Sequence, residues 1–387
     1  MTLTDTRLAA GEVHRGNRIA VALLVAITVF ATGSIVSLIA SRSAADRATS
    51  TASAELRSEL EFRKLRVIDY LEDVESNLAS IASSQIAVSI TEEFVSALES
   101  DGDNGYANTR LAYITNNPNP PGRRQALLYA SDDSNYSRIH ARYHDWLLSF
   151  STAHDYYDML IADAEGNIVY SVFKEDDFGT NLVTGEYRDT ALAVTFDRVR
   201  DNSLPERAIF SNFDTYAPSN DLPAAFIGSP VMQDGKFGGA FIVQLKHSRL
   251  NRLLHADEAE LNGIRAYLVG DDGFLRAGSG IASDEVMQIA YEQANAKAAL
   301  SNRAGVTESK SMLGVDVLSA HAPLRWNGVV WALLVERDRS SVNEPVQRLR
   351  RLLMLSVLLC SVLGFVVGWL LADSPDPDHF PLADEST

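Results

Sequence analysis

Two uncharged apolar runs near the ends of the chain constrain its fold more than anything between them. Residues 19–41 (IAVALLVAITVFATGSIVSLIAS) are bracketed by Arg18 and Arg42, and residues 352–372 (LLMLSVLLCSVLGFVVGWLLA) by Arg351 and Asp373. A bilayer core takes about 20 residues of helix, so each run is long enough to span one. The first exceeds the apolar stretch of a signal peptide, and the residues after Gly33 make a poor cleavage site, so it is expected to persist as an anchor. The region between the anchors must then lie on one side of the membrane. Arg7, Arg15 and Arg18 precede the first run, Arg42, Arg47 and Arg57 follow it, and Arg337, Arg339, Arg348, Arg350 and Arg351 precede the second. By charge alone that region would stay inside, but long loops translocate largely regardless of charge. Its placement is therefore taken from the architecture.

The bulk numbers narrow the class. A chain of 387 residues, 46% hydrophobic and 22% charged, has material for two or three folded domains with cores. Thirty-four Lys+Arg against 51 Asp+Glu give a net charge of -17, which repels phosphate backbones and argues against a nucleic-acid partner. The single cysteine, Cys360, excludes a disulfide framework and a cysteine-based zinc site.

Residues 44–99 contain neither Pro nor Gly. A heptad seam runs through Leu60, Lys64, Val67, Leu71, Val74, Leu78, Ile81, Gln85 and Val88, which predicts one long helix over 42–100. Phe62, Leu65 and Ile68 widen the stripe, so the helix could face both its own domain and a second copy; packing wholly within the chain is the other reading. Residues 101–121 break the pattern with Gly, Asn and Pro. Helical spacing returns over 134–150, with Ile139, Tyr143, Trp146, Leu147 and Phe150 on one face. Strands are then predicted at 157–163 and 168–173 around Ala164-Glu165-Gly166-Asn167, and at 208–213, 224–232 and 237–245, the last two joined through Asp234-Gly235. A helix from His247 to about Ala256 closes the unit.

The pattern then recurs in shortened form. Strands at 264–269 and 274–277 surround Asp271-Asp272-Gly273, a helix follows near 283–299, and strands at 315–324 and 329–336 form a last hairpin. Pro230 precedes Asp234-Gly235 by the same offset at which Pro323 precedes Asn327-Gly328. Two copies of one α+β module, each an antiparallel sheet with flanking helices, account for this better than one large domain.

A membrane helix, a long helix, two successive PAS-like sheets and a second membrane helix together resemble the double Cache sensor domains of bacterial chemoreceptors, sensor kinases and cyclases. The resemblance covers about residues 20–372. It is strongest over 156–182 (YYDMLIADAEGNIVYSVFKEDDFGTNL) and 226–245 (FIGSPVMQDGKFGGAFIVQL). It implies an extracytoplasmic small-molecule receptor in the inner membrane, with a ligand pocket in the membrane-distal module and a signal carried by the second membrane helix. The expected organisation is a cytoplasmic N-terminus (1–18), a membrane helix (19–41), a long helix (42–100), a distal module (101–256), a proximal module (257–339), a linker helix (340–351), a second membrane helix (352–372) and a disordered tail (373–387). That tail (DSPDPDHFPLADEST) carries no effector domain, so the expected partners are a metabolite, a second copy of the chain and a separate cytoplasmic effector.

The amino-acid-binding version of the family carries an Arg-x-Trp-Tyr cluster that holds the ligand carboxylate and a later Asp for the amine. Here Arg142-Tyr143-His144-Asp145-Trp146 has those residue types in another order, and Ala217 stands where the acid is sought, so the resemblance does not extend to an amino-acid ligand. The predicted pocket draws Tyr136, Arg138, Tyr143 and Trp146 from the 134–150 helix and Asp158, Tyr170, Asp214 and Tyr216 from strands and loops. An arginine can pair with a carboxylate, and the aromatics can wall an apolar or cationic group; core packing and solvent exposure are the plainer roles for the same residues. His140 and His144 share a helix face with His154 nearby, but without the Glu of an HExxH site they are expected to be ordinary helix residues, and no cofactor is expected. Asp177-Phe178-Gly179 spells a kinase motif without its companions and reads as a loop. No GxSxG, P-loop or paired catalytic carboxylates occur in a suitable context, which points away from an enzyme. The alternative function is a membrane scaffold or protein-binding subunit with no ligand.

Overall fold

In the computed structural model the chain divides into two compact units, residues 1–54 with 339–387, and Glu55–Asp338. The structure describes residues 3–102, 104–202, 208–255, 263–282 and 285–372, with side chains from residue 18 onward; the expected tail at 373–387 and the expected module junction at 256–257 lie outside these.

The first unit holds two helices long and apolar enough to cross a membrane, one within α1 (Leu3–Ala82) and the other α8 (Arg339–Leu371). Their large apolar side chains point outward: Leu24 is 67% exposed and Leu355 is 63% exposed. Small residues let the backbones approach, since a Cβ at Gly368 would lie 2.9 Å from Ala22 Cα and one at Gly33 3.0 Å from Val357 Cγ2.

The second unit is built on two antiparallel five-stranded sheets. The first has the order β2-β1-β7-β6-β3, formed by β1 (Asp158–Asp163), β2 (Ile168–Ser171), β3 (Ile209–Phe210), β6 (Phe226–Gln233) and β7 (Lys236–Gln244), while β4 (Asp214–Tyr216) and β5 (Leu222–Ala224) pair with each other as a separate ribbon. The second has the order β10-β11-β12-β8-β9, from β8 (Ile264–Val269), β9 (Leu275–Gly278), β10 (Gly305–Lys310), β11 (Asp316–Trp326) and β12 (Val329–Asp338). Numbered within its own set, each sheet reads second, first, fifth, fourth, third. The repeat seen in the sequence is thus a repeat of topology. Both closing hairpins turn through two residues of positive φ, Asp234 and Gly235 in one, Asn327 and Gly328 in the other, the conformation that matches strand twist.

Three helical expectations need correction. The predicted 42–100 helix is interrupted: α1 ends at Ala82 and α2 (Gln85–Ser100) restarts after Ser84, whose hydroxyl accepts from Ala87 N at 3.2 Å. Ser84 Oγ also donates to Ile81 O at 2.6 Å, and such side-chain bonds compete with the helical ladder where no Gly or Pro marks a break. The seam of α1 packs inside the chain, with Val67, Leu71 and Leu78 fully buried, while Phe62 and Leu65 are exposed. The 134–150 helix is observed as α4 (Asn135–Ala153), capped by Ser134, but turned from the expected face: it buries Tyr136, His140, His144, Leu147 and Ser151 and leaves Trp146 exposed. The helix expected near 283–299 is the shorter α7 (Ala294–Leu300).

On the first sheet, α2 and α5 (Ala191–Asp201) lie on opposite faces. A Cβ at Gly239 would meet Thr91 of α2 at 3.2 Å, and one at Gly228 would meet Thr195 of α5 at 3.0 Å; in the ladder Gly239 faces Val231, three residues from Gly228, which is an odd step along a strand. The second sheet carries α7 over an apolar cluster including Tyr267, Leu275, Tyr291 and Leu334. The two sheets are tied together by Trp331, which is 1% exposed. Its Nε1 donates to Asn212 Oδ1 at 3.0 Å, and its ring meets Phe210 at 5.7 Å and Phe213 at 6.2 Å.

Candidate functional site

The segment after β2 builds the most unusual chemistry in the chain. Ile168 N donates to Thr180 O at 2.9 Å and Gly179 N to Ile168 O at 3.2 Å, so residues 172–180 fold back along the open edge of β2. This return carries Lys174, Glu175 and Asp177 inward. They meet Asp158 from the start of β1, and all four are buried: Lys174 is 0%, Asp158 1%, Asp177 2% and Glu175 8% exposed. Lys174 does so at a φ of +58°, a left-handed conformation that costs about 1 kcal/mol for a residue with a Cβ.

Each carboxyl is held by a different set of donors. Asp158 accepts from Ser171 Oγ at 2.7 Å and from the backbone N–H groups of Met159 and Phe173 at 2.7 and 2.8 Å. Glu175 accepts from Tyr157 Oη at 2.8 Å and Ser219 Oγ at 2.6 Å, and Gln244 Nε2 donates to the same serine oxygen at 3.1 Å. Asp177 Oδ2 accepts from Tyr216 Oη at 2.5 Å, while Oδ1 is buried with no hydrogen-bond partner among the described residues. Desolvation pushes all three carboxyls up, Asp158 to about 7, Glu175 to about 8 and Asp177 to about 6, and mutual repulsion adds to the rise in Asp158 and Glu175.

Cations stand close without completing the site. Burial brings Lys174 down to about 7; its Nζ donates to the carbonyls of Ser171 and Val172 at 3.2 and 3.4 Å and lies over the rings of Tyr113 and Tyr170 at 5.7 and 5.4 Å. Arg110 donates to Phe178 O at 2.6 Å. Neither donates to any of the three carboxylates. The arrangement is therefore a buried box of acceptors in which one oxygen, Asp177 Oδ1, lacks a donor among the described residues, and a positive charge beside it would offset the cost of desolvation.

The predicted pocket residues are not brought together. Asp158 and Tyr216 belong to the acid box. Tyr136 and Tyr170 lie on the α2 side of the sheet, fully buried, Tyr136 Oη donating to Val169 O at 3.0 Å and Tyr170 Oη bonding His144 Nδ1 at 2.7 Å. Arg138, Tyr143 and Trp146 face outward on α4: Arg138 is bonded to Asp133 O at 3.0 Å, and Tyr143 Oη donates to Glu93 at 2.8 Å. Asp214 is exposed, away from the box. His140 and His144 stack at 4.4 Å in the core, with His144 Nε2 bonded to Gln125 O at 2.7 Å. Burial holds His140 well below the usual histidine range and His144 down to about 4, so both are neutral core residues. Sequence patterns do not single out Glu175, Asp177, Lys174, Tyr157, Ser219 or Gln244. Their signal was the run Lys174-Glu175-Asp176-Asp177 directly after a strand, which reads as a solvated loop.

No family model matches the chain. Its structural neighbours include sensory and ligand-binding domains of bacterial chemoreceptors. The sensory domain of the Campylobacter jejuni chemoreceptor Tlp3 with isoleucine bound aligns at a TM-score of 0.43 and 10% identity, covering 77% of this chain and 97% of that one. The periplasmic sensory domain of Campylobacter jejuni Tlp1 aligns at 0.40 and 14%, over 71% and 99%. The ligand-binding domain of the Pseudomonas aeruginosa amino acid chemoreceptor PctC in complex with GABA aligns at 0.35 and 16%, over 61% and 92%. Among curated proteins, the probable chemoreceptor y4sI of Sinorhizobium fredii is 24% identical over 214 residues, 54% of this chain. The match spans only a quarter of that relative's length.

Proposed function

We propose that the chain is a membrane-anchored extracytoplasmic sensor whose distal module binds a small molecule through an ammonium group. Residues 19–41 and 352–372 are the membrane spans, residues 101–256 the distal receiver and residues 257–339 the proximal module that leads into the second span. The guest's ammonium takes the place between Asp158, Glu175 and Asp177, where Asp177 Oδ1 has no donor. That unsatisfied, buried oxygen among mutually repelling acids is the observation that carries the reading. A cation there restores charge balance, ionises the carboxyls and donates the absent hydrogen bonds. Tyr157, Ser219 and Tyr216 then serve as orienting donors. Nothing in the arrangement activates a nucleophile, so the output is movement of the last helix rather than turnover. Two copies paired along the face of α1 that exposes Phe62 and Leu65 complete the receptor.

Thermal unfolding of the full chain in detergent, with a panel of primary and quaternary amines and their uncharged N-acyl analogues, tests this. At a hundredfold excess over the dissociation constant a true ligand adds about 2.7 kcal/mol. Equal stabilisation by the N-acyl analogues, or none by any amine, removes the proposal. Cysteine labelling of single-cysteine variants between the spans, accessible from the cytoplasmic side only, would overturn the external placement.

A further inference from the structure

A second chemically distinct cleft opens beside the contact between the two sheets, with a volume of about 870 Å³, a size suited to a small metabolite. One wall is a face of α5, where Ala191, Val194 and Arg198 recur at helical spacing; the other comes from the β8–β9 turn and β9. Arg276 of β9 lines it. The residue is 2% exposed and its guanidinium lies directly on Gly270, where a Cβ would come within 2.5 Å of Cζ and Nη2. Nη2 donates to Asp272 at 2.7 Å and Nη1 to Phe274 O at 3.1 Å, but Nε is buried with no partner among the described residues. A buried guanidinium donor left open, on an arginine fixed by its own backbone, calls for an acceptor from a guest. Arg198 adds a second cation with no ion pair among the described residues. Asp214 and Asp271 face the same space and are exposed.

We infer that this cleft between the modules is a second ligand site, for a small zwitterion whose carboxylate meets Arg276 and Arg198 and whose ammonium meets Asp214 and Asp271. A pure anion is disfavoured because Asp189, Asp214, Asp271 and Asp272 outnumber the two arginines at the cleft. A pure cation leaves Arg276 Nε unsatisfied. Since one wall belongs to each module, an occupant holds the two together.

Isothermal titration calorimetry of the full chain in detergent, in an Asp177→Asn background that disables the distal box, separates the two sites. The probes are β-alanine as zwitterion, succinate as dianion and putrescine as dication. Saturable binding of β-alanine alone is expected, weakened at least about tenfold by Arg198→Ala and again by Asp214→Asn, both at exposed positions that leave folding intact. Absence of β-alanine binding at millimolar concentration, equal binding of succinate or putrescine, or affinity indifferent to both substitutions overturns the inference.

Discussion

The two sheets share one strand order but enclose different interiors. The first, between β1 and the returning 172–180 segment, buries three carboxyls and a lysine; the second, under α7, buries an apolar cluster with a single acid, Glu336, which is 1% exposed and held by Asn295 Nδ2 at 2.9 Å and by Tyr291. A buried polar network lacking one partner is less stable than an apolar core of the same size. Each copy bears some of that cost, since Asp177 Oδ1 in the first and Glu336 Oε2 in the second are both buried without a hydrogen-bond partner among the described residues, but the first concentrates three acids where the second holds one.

Trp331→Ala breaks the comparison most severely, because it removes the ring that joins the copies. A loss of about 3 to 5 kcal/mol is expected in chemical denaturation, with the two modules ceasing to unfold together. The pH response comes next. The raised carboxyls of Asp158, Glu175 and Asp177 favour the folded state most when protonated, so their contribution is complete below about pH 4 and is lost as pH climbs through about 6 to 8. The melting temperature of the ligand-free chain should therefore fall between pH 5 and pH 8. Asp158→Asn should flatten this slope far more than Glu336→Gln, although burial also raises Glu336; equal flattening would erase the distinction between the copies. Asp177→Asn should weaken binding of an amine ligand about 10- to 100-fold, the worth of one charge-assisted hydrogen bond, with circular dichroism unchanged. The smallest effect is that of Ser84→Ala, which removes the cap of α2 and costs about 1 kcal/mol, seen as faster amide exchange over Gln85–Ser100 than over the neighbouring part of α1.

Much of the framework was legible in the sequence because it rests on local patterns. Strand alternation and the Asp234-Gly235 and Asn327-Gly328 turns locate nine of the ten strands of the two large sheets within a few residues, and β8 falls on its predicted bounds. What escaped depends on tertiary partners. The strand β10 (GVTESK) is polar and half exposed, and its pairing with β11 supplies what its composition does not. The helix α5 follows a Thr190 cap, but its eleven residues fall between 173 and 208, where the sequence patterns predict no element. The acid box was hardest, since Lys174-Glu175-Asp176-Asp177 looks like a surface run, and only the backbone return onto Ile168 turns three of the four inward. For Tyr136 and Tyr170 the sequence allows both a binding and a core-packing role, and in the fold both are buried with their hydroxyls engaged.

The interruption at Ser83 and Ser84 divides labour within the helical layer. Asp101, just beyond α2, accepts from the backbone N–H groups of Asn135 and Tyr136 at 3.0 and 3.1 Å, which fastens the end of α2 to the beginning of α4. The covalent tie of α2 to the long rod is two serines wide, so the sixteen residues of α2 are capped at one end and fastened to α4 at the other as a unit apart from the eighty-residue α1.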